Sequence, residues 1–185
     1  AEALEKLGYK IRPSMTGIGK ESTVFEGGKK HDFRKTSWGM NRKLVKRVET
    51  VEYLTEHDDL LFYKGKVHGL SCMISYTFIK NQLVSGTYTF GVEHSHRNQY
   101  IKDFEDVKKI LTERYGDPID DLQYWHNDQY KDNRNEWGLA VGVGHLSYSS
   151  LWKTADSEIL LRLDGEDYEI SHVLKYKSKK AREAS

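Results

Sequence analysis

The chain has 185 residues, enough for one substantial hydrophobic core or two small ones, and its 29 Lys and Arg nearly balance its 28 Asp and Glu. The resulting net charge of +1 gives no overall field that would draw the protein to nucleic acid or to an anionic membrane. The sequence lacks any apolar run of roughly 18 residues, so it predicts no membrane-spanning helix. A single cysteine excludes an internal disulfide.

Residues 1–32 are predicted to form an irregular arm. The part from Arg12 to Lys30 is rich in Gly, Ser, Thr and Lys, which is typical of a loop. Within it, the residues from Gly17 to Phe25 (GIGKESTVF) resemble the glycine-rich nucleotide loop of protein kinases. The chain has neither an HRD nor a DFG motif, so we expect a loop without a kinase function.

The segment that follows the arm predicts a turn and a short helix. Trp38-Gly39 is expected to turn the chain, and Asn41 is a candidate helix cap. Leu44, Val45 and Val48 then form an apolar stripe at helical spacing. Basic residues flank the stripe, as is usual for the solvated side of an amphipathic helix.

The residues from Phe33 to Glu49, FRKTSWGMNRKLVKRVE, resemble the F-R-x-x-x-W-G-M-x-x-x-x-V-x-x-x-E opening of a poorly characterised bacterial family whose members are often exported or lipid-anchored. The Gly-Met pair followed by a short helix is also similar to the SmpA-like outer-membrane lipoproteins. The resemblance implies helices on a small antiparallel sheet, a role in protein contacts, and a periplasmic or exported location. A cytoplasmic location is the alternative, because a lone cysteine also fits that compartment.

The stretch from Leu60 to Val92 has the clearest strand pattern. Alternate apolar residues place five side chains on one face of a strand: Leu70, Cys72, Ile74, Tyr76 and Phe78. A second run places Val84, Tyr88, Phe90 and Val92 on one face and Ser85, Thr87 and Thr89 on the other. We therefore predict an α+β fold in which two amphipathic helices cover the apolar side of an antiparallel sheet.

Glu93, His94 and His96 follow this strand and are the weak candidates for metal ligands. If the strand continued, the two histidines would share a face, as an H-x-H ligand pair does. A zinc site would need further ligands, and the fold would have to supply them. Histidines at the end of a strand are more often ordinary surface residues.

Asn98 to Tyr115 predicts the longest helix, with Asn98 as its cap and Gly116 and Pro118 at its end. The polar stretch 117–136 is expected to be a long surface loop or a mobile hairpin. Its aromatic residues make it a candidate partner-binding surface, because Tyr and Trp often anchor interfaces. These candidates are Tyr124, Trp125, Tyr130 and Trp137.

Residues 137–176 predict a second set of strands. Leu139, Val141 and Val143 alternate with small residues, and Asp164-Gly165 is a turn signal. His172, on an apolar face, is expected to be a hydrogen-bonded core residue. We assign 33–176 to a single domain and expect 177–185 to be a frayed, charged tail.

The two strand sets also suggest an internal duplication. Leu61 and Tyr63 match Leu146 and Tyr148 at a spacing of 85 residues, and Ile74 matches Ile159 at the same spacing. Each set follows a helix. The chain is therefore interpreted as a repeated α-βββ unit with halves 33–96 and 97–176.

Function is less sharply indicated. The sequence contains no nucleophile elbow, zinc-protease motif, Walker loop or Rossmann fingerprint, so an enzymatic role is uncertain and less favoured, and no cofactor is predicted. We expect a non-catalytic module that binds another protein or has a structural role, in the bacterial cell envelope if the resemblance holds.

Two alternatives stay open. One is a metal protein or an enzyme with a site near Glu93, His94 and His96. The other is a sheet that binds single-stranded nucleic acid, because Ser85 to Phe90 is similar to the RNP1 strand of RNA-recognition domains.

Overall fold

A computed structural model describes residues 31–180, which form one eight-stranded antiparallel sheet and three α-helices. The strands are β1 (Glu52–His57), β2 (Leu60–Val67), β3 (Leu70–Ile79), β4 (Gln82–Phe90), β5 (Asp120–Trp125), β6 (Leu146–Lys153), β7 (Ser157–Glu166) and β8 (Glu169–Ser178). The helices are α1 (Arg42–Val48), α2 (Asn98–Tyr115) and α3 (Trp137–Gly142). The predicted α+β class with an antiparallel sheet is confirmed. The glycine-rich segment from Gly17 to Phe25 lies outside the described residues.

The strand order is β1-β2-β3-β4-β8-β7-β6-β5. The first four strands form one meander, the last four form another, and the two meet where β4 pairs with β8. The predicted pairing at the centre of the first meander is confirmed, since Cys72 lies opposite Phe90 and Ile74 opposite Tyr88. All four side chains are buried.

An irregularity in the β3–β4 pairing corrects one predicted core position. The register shifts between Thr77 and Phe78, so Phe78 pairs with Leu83 while Thr77 pairs with Ser85. Val84 is the extra residue of this bulge, and Leu83 is buried in its place. An extra residue in a strand moves the side chains before it to the opposite side of the sheet from the one that strict alternation predicts. The alternating pattern alone does not show where such a bulge lies.

Three hairpins close with two-residue turns in which both residues have positive φ: His68-Gly69, Lys80-Asn81 and Asp167-Tyr168. The predicted turn at Asp164-Gly165 is wrong, because β7 continues to Glu166. Gly165 serves close packing instead. A Cβ there would lie 2.5 Å from the Val141 carbonyl oxygen at the end of α3.

The helix α3 occupies a region that the alternating pattern assigned to a strand. Gly138, Ala140, Val141 and Gly142 are buried in it. The small residues permit close packing against the start of α2, since a Cβ on Gly138 would lie 2.2 Å from the Arg97 carbonyl carbon. The alternation of small and large residues therefore reflects helix contact and not a sheet.

Asn98 is the first residue of α2, and Arg97 occupies the cap position that the sequence assigned to Asn98. The Asn98 side chain instead joins α2 to α3: its Oδ1 accepts a hydrogen bond from the Gly138 N–H at 2.6 Å. Its Nδ2 donates to the Arg134 carbonyl at 2.9 Å. The other predicted cap is confirmed, because Asn41 Oδ1 accepts from the Leu44 N–H at 2.9 Å.

Two strands lie where the sequence pattern predicts none. β1 lies within residues 50–59, and β5 lies within the polar stretch 117–136, which also contains two short 3₁₀ turns, Asp128–Tyr130 and Arg134–Glu136. Both strands are at the edges of the sheet and nearly all of their residues are exposed. An edge strand with exposed side chains need not show alternating hydrophobicity, and so the pattern missed both.

The ends of the predicted domain also change. β8 runs to Ser178, which is buried, so Lys177 and Ser178 belong to the sheet and not to a frayed tail. At the other end, Asp32 accepts a hydrogen bond from the Trp38 N–H at 2.8 Å.

The residues matched by the family-like opening form a segment that covers the first meander. The Phe33 side chain is fully buried and lies directly on Gly86 of β4. Its ring is 5.0 Å from that of Tyr88 and 5.3 Å from those of Tyr76 and Tyr176. Phe33 thus fills the space that glycine leaves at the centre of the sheet.

A buried ion pair fixes the same segment. Arg34 donates to both carboxylate oxygens of Glu49, at 2.8 and 3.1 Å, and the Tyr76 hydroxyl donates to this carboxylate as well. Burial alone would raise the pKa of Glu49, but the hydrogen bond and charge of Arg34 outweigh it and lower that pKa. The ion pair thus joins the two ends of the 33–49 segment, with α1 between them.

Trp38, Gly39 and Met40 attach to the sheet through hydrogen bonds. Gly39, with φ of +85°, donates its N–H to the Leu83 carbonyl, and the Leu83 N–H donates to the Met40 carbonyl. Trp38 Nε1 donates to Ser157 Oγ on β7 at 2.8 Å. Each of these residues of the opening therefore has a structural role in this chain.

Candidate functional site

One side of the sheet is covered and the other is open. On the covered side, α2 packs on β7 and β8, and α3 packs on β6, β7 and β8. The 33–49 segment covers the first meander on this same side, where the buried residues of each strand point. The described residues that point to the opposite side are mostly half-buried or exposed, and we call this side the open face.

Two rows of paired residues define the open face. The first row contains Phe62, Ser75, Thr87, Lys175, Leu160 and Leu151. The second contains Lys64, Met73, Thr89, Val173, Arg162, Ser149 and Leu122. Every residue in the two rows is half-buried or exposed, and each of them except Leu122 has a buried neighbour along its strand.

The open face combines small hydroxyl side chains with lysines and scattered apolar groups. Met73 and Leu160 are 40 % and 37 % exposed, and Leu122 and Tyr124 near the β5 edge are 50 % and 58 % exposed. Ser75, Thr87 and Thr89 lie between them on the central strands. Such a surface offers hydrogen-bond donors, positive charge and apolar contact over one broad area.

The four aromatic candidates for partner binding do not all lie on the same side of the sheet. Tyr124 alternates with Trp125 along β5 and pairs with Ser147, so it lies on the open face. Trp125, on the covered side, packs edge-to-face against Trp137 with ring centroids 5.6 Å apart. Tyr130 stacks on His145 at 5.5 Å. Trp125, Tyr130 and Trp137 are partly buried against the core, which leaves Tyr124 as the most accessible of the four.

The candidate metal ligands do not lie on a strand, because β4 ends at Phe90. His94 Nε2 is 2.5 Å from Asp103 Oδ2 on α2, and Asp103 also accepts a hydrogen bond from Gln99 at 3.0 Å. Glu93 and His96 are exposed. Within residues 31–180, no group of three or more His, Cys, Asp or Glu side chains is arranged to hold a metal ion.

His96 lines a surface pocket of about 480 Å³ at the start of α2. The other lining residues come from the same turn and from the 3₁₀ turn and helix that follow β5: Ser95, Arg97, Asn98, Asn135, Glu136 and Leu139. Asn98 is occupied by its bonds to Gly138 and Arg134. The pocket lining thus contains one imidazole, that of His96, and one carboxylate, that of Glu136.

The aromatic residues of the strand that is similar to RNP1 point into the core. Tyr88 and Phe90 are 1 % and 9 % exposed and contact Phe33 and His172. Base stacking requires aromatic rings on an accessible face. On the central strands β3, β4 and β8, the described open face carries hydroxyl, lysine and aliphatic side chains at the corresponding positions.

His172 is a buried core residue, as expected, but its Nε2 has no hydrogen-bond partner among the described residues. Its ring packs on Phe90 at 4.4 Å and on Phe104 at 6.0 Å. Burial lowers its pKa to about 4, although nearby Asp103 acts in the opposite direction. His172 is therefore neutral in the folded protein at physiological pH.

Because His172 is buried and its pKa is lowered, the stability of the fold should depend on pH. The unfolded chain binds a proton on His172 below about pH 6.5, whereas the folded chain does so only near pH 4. The free energy of unfolding should thus fall as the pH drops from 6.5 to 4, by up to about 3 kcal/mol from this group. Urea unfolding of the His172→Gln variant should show a flatter pH profile in that window than the unmodified protein. Equal slopes for His172→Gln and the unmodified protein would contradict the assignment.

None of the helices formed by residues 31–180 has both the length and the apolar character needed to cross a membrane. No protein-family model matches the chain, and no match was found among curated proteins or solved structures.

Proposed function

We propose that this protein is a non-catalytic module that binds another protein through the open face of its sheet. The observation that supports this proposal most directly is the difference between the two sides of the sheet. One side is sealed by the 33–49 segment, α2 and α3, while the other carries accessible hydroxyl, lysine and aliphatic side chains across eight strands. Antiparallel sheets can keep one side solvated, but this side is also large enough to bind a macromolecule.

The size of the open face supports a protein partner. Eight strands about 4.8 Å apart, with about eight residues of roughly 3.3 Å each, give an area of roughly 900 Å². A standard protein–protein interface buries about 800 Å² on each partner. The exposed Tyr124 and Leu122 at the β5 edge extend the same surface and are side chains suited to anchoring a partner.

The other candidate functions have weaker support in the geometry. His94, the best placed candidate ligand, is bonded to Asp103 and belongs to the contact between α2 and the segment after β4. The aromatic rings that would stack on bases are buried on the other side of the sheet. A location in the cell envelope rests on the resemblance of the 33–49 segment alone.

We also propose that the chain arose by duplication of a unit of one helix and four strands. The strand order supports this, since α1 precedes β1–β4, α2 precedes β5–β8, and the last strands of the two meanders pair. A constant spacing of 85 residues does not preserve the pairing, however: Tyr63 pairs with Ile74, whereas Tyr148 pairs with Leu163. The proposed relation is therefore one of topology, with hairpins of different length.

A pair of bulky, neutral substitutions tests the binding role. Thr89→Tyr places a large side chain at the centre of the open face, and Thr112→Tyr places the same change on α2. Immobilised Thr89→Tyr should retain its partners from an extract of the source organism at least about tenfold more weakly, a loss of about 1.4 kcal/mol, as quantified by mass spectrometry. Thr112→Tyr should retain them as the unmodified protein does. Equal retention by all three proteins would exclude the open face as the binding surface.

A further inference from the structure

The lysines of the open face point to the chemistry of the partner, if the face binds a protein as proposed above. Lys64 and Lys66 on β2 and Lys175 and Lys177 on β8 make no ion pair with any residue of the described part of the chain. Lys64 and Lys175 are exposed, and Lys175 lies on one of the two central strands. These four amines are therefore outside the ion pairs of the described residues, although Glu52 lies opposite Lys64 and Glu158 opposite Lys177 in the strand register.

The two other basic residues of the open face are already neutralised. Arg162 Nη2 lies 2.5 Å from Asp164 Oδ2, and Lys153 Nζ lies 3.6 Å from Glu158 Oε1. These pairs lie on β6 and β7, outside the central strands. The free positive charge of the face is therefore concentrated on β2 and β8.

The unpaired acidic residues on this side lie at its margins. Glu52 is on the edge strand β1 and Asp120 on the opposite edge strand β5. Glu166 and Glu169 are beside the turn that joins β7 to β8. Lys66 pairs with Ser71, and Lys175 pairs with Thr87 and Leu160, so a ligand on the face would meet these two lysines with no carboxylate directly opposite them.

The groups between the lysines suit a protein better than a nucleic acid. Ser75, Thr87 and Thr89 can donate hydrogen bonds to carboxylates, and exposed Met73 and Leu160 offer aliphatic contact. Binding of single strands would call for aromatic rings between the cations, and those of β4 are buried.

We propose that the open face docks an acidic, partly aliphatic surface of a partner protein. Carboxylates of the partner bind Lys64, Lys175 and Lys177 and the hydroxyl groups between them, while its apolar side chains contact Met73 and Leu160. Complementary charge of this kind accelerates association and makes binding sensitive to salt.

An NMR titration with a defined probe tests the inference. A twelve-residue peptide of alternating Glu and Leu should shift the backbone amide signals of β3, β4 and β8, with weaker binding as the salt concentration rises. The matching peptide of Lys and Leu should leave these signals unchanged. Shifts confined to the helices, no shifts with the acidic peptide at millimolar concentration, or stronger binding of these strands to a (dT)₁₅ oligonucleotide would overturn the proposal.

Charge reversal provides the matched variants. Lys64→Glu/Lys175→Glu should weaken binding of the acidic peptide at least tenfold. The control Lys43→Glu/Lys109→Glu has the same net charge, alters exposed lysines on α1 and α2, and should weaken binding less than twofold. Lys64→Gln/Lys175→Gln gives a milder version should the reversed variant fold poorly. Equal weakening by the open-face and control variants would mean that net charge, and not the face, attracts the peptide.

The failures of the two proposals can be told apart. If Thr89→Tyr prevents partner retention but Lys64→Glu/Lys175→Glu does not, the open face binds a protein and the acidic character of that protein is disproved. If neither variant alters retention, the binding role of the open face is itself disproved.

Discussion

Replacing Glu49 by alanine is expected to lower the free energy of unfolding by about 3–5 kcal/mol, because Arg34 would keep a buried charge without its partner. The Arg34 and Glu49 side chains are only 6 % and 1 % exposed and are joined by two hydrogen bonds. The Tyr76 hydroxyl and the Thr50 N–H would also lose their acceptor. Urea unfolding at pH 7 measures the loss.

A double-mutant cycle separates the ion pair from the loss of packing. Arg34→Met/Glu49→Leu should be less destabilised than the sum of its two single variants, because apolar replacement of both partners leaves no unpaired charge. Below pH 4.5, the ordinary pKa of Glu49, the unmodified protein should also lose stability more steeply than Glu49→Ala. The sign follows from the lowered pKa of Glu49, which stabilises the fold above that pH and loses its effect as the carboxylate is protonated. Additive single variants, within about 0.5 kcal/mol, would show that the pair contributes nothing specific.

Phe33→Ala is expected to cost about 3–5 kcal/mol, because it empties a fully buried site among three tyrosine rings. The complementary change, Gly86→Ala, should cost about 1–3 kcal/mol by overpacking. A Cβ on Gly86 would lie between 2.0 and 2.4 Å from three carbons of the Phe33 ring, so that ring or β4 would have to move.

The two changes should compensate each other in one protein. In the Phe33→Ala background the ring that the methyl of Gly86→Ala would meet is absent, so the cost of Gly86→Ala should fall. Thermal and urea unfolding of the two single variants and the double variant give the coupling. An equal cost of Gly86→Ala in both backgrounds would contradict the contact between Phe33 and the sheet.

The sequence predicted those elements in which burial and periodicity agree. β3 alternates because one of its sides is buried, β4 does so from Gly86 to Phe90, beyond its bulge, and α2 repeats its apolar residues every three or four positions. The edge strands β1 and β5 were missed because they bury too little to impose a pattern. The pattern predicts a strand in place of α3 because the small residues of this helix, which include Gly138 at its contact with Arg97, imitate alternation.

The candidate site was harder to predict than the fold. Thr87 and Thr89 were recognised as the polar side of β4, but a polar side is normally a solvated one and gave no reason to look further. The signal that distinguishes it is spread over distant strands: Lys64 and Lys175 come together on one face only after β2, β3, β4 and β8 are paired. Conversely, the aromatic cluster of Trp125 and Trp137 was conspicuous in the sequence, but the two rings pack on each other.

The residues of the 33–49 segment that carry the resemblance have structural roles in this chain. Its Phe, Arg and Glu occupy buried positions, and its Trp-Gly-Met bonds to β4 and β7. In this chain the segment covers the first meander, while α2 and α3 cover strands of the second. Function is proposed for the opposite side of the sheet.

Site-specific photocrosslinking tests the central claim most directly. A benzoylphenylalanine at Thr87, Thr89 or Lys175 on the open face is compared with one at Lys109 or Glu113 on the exposed side of α2, in cells of the source organism. Irradiation should produce a discrete protein adduct from the open-face positions and none from α2. Adducts confined to α2, or no adduct from any open-face position, would contradict the account.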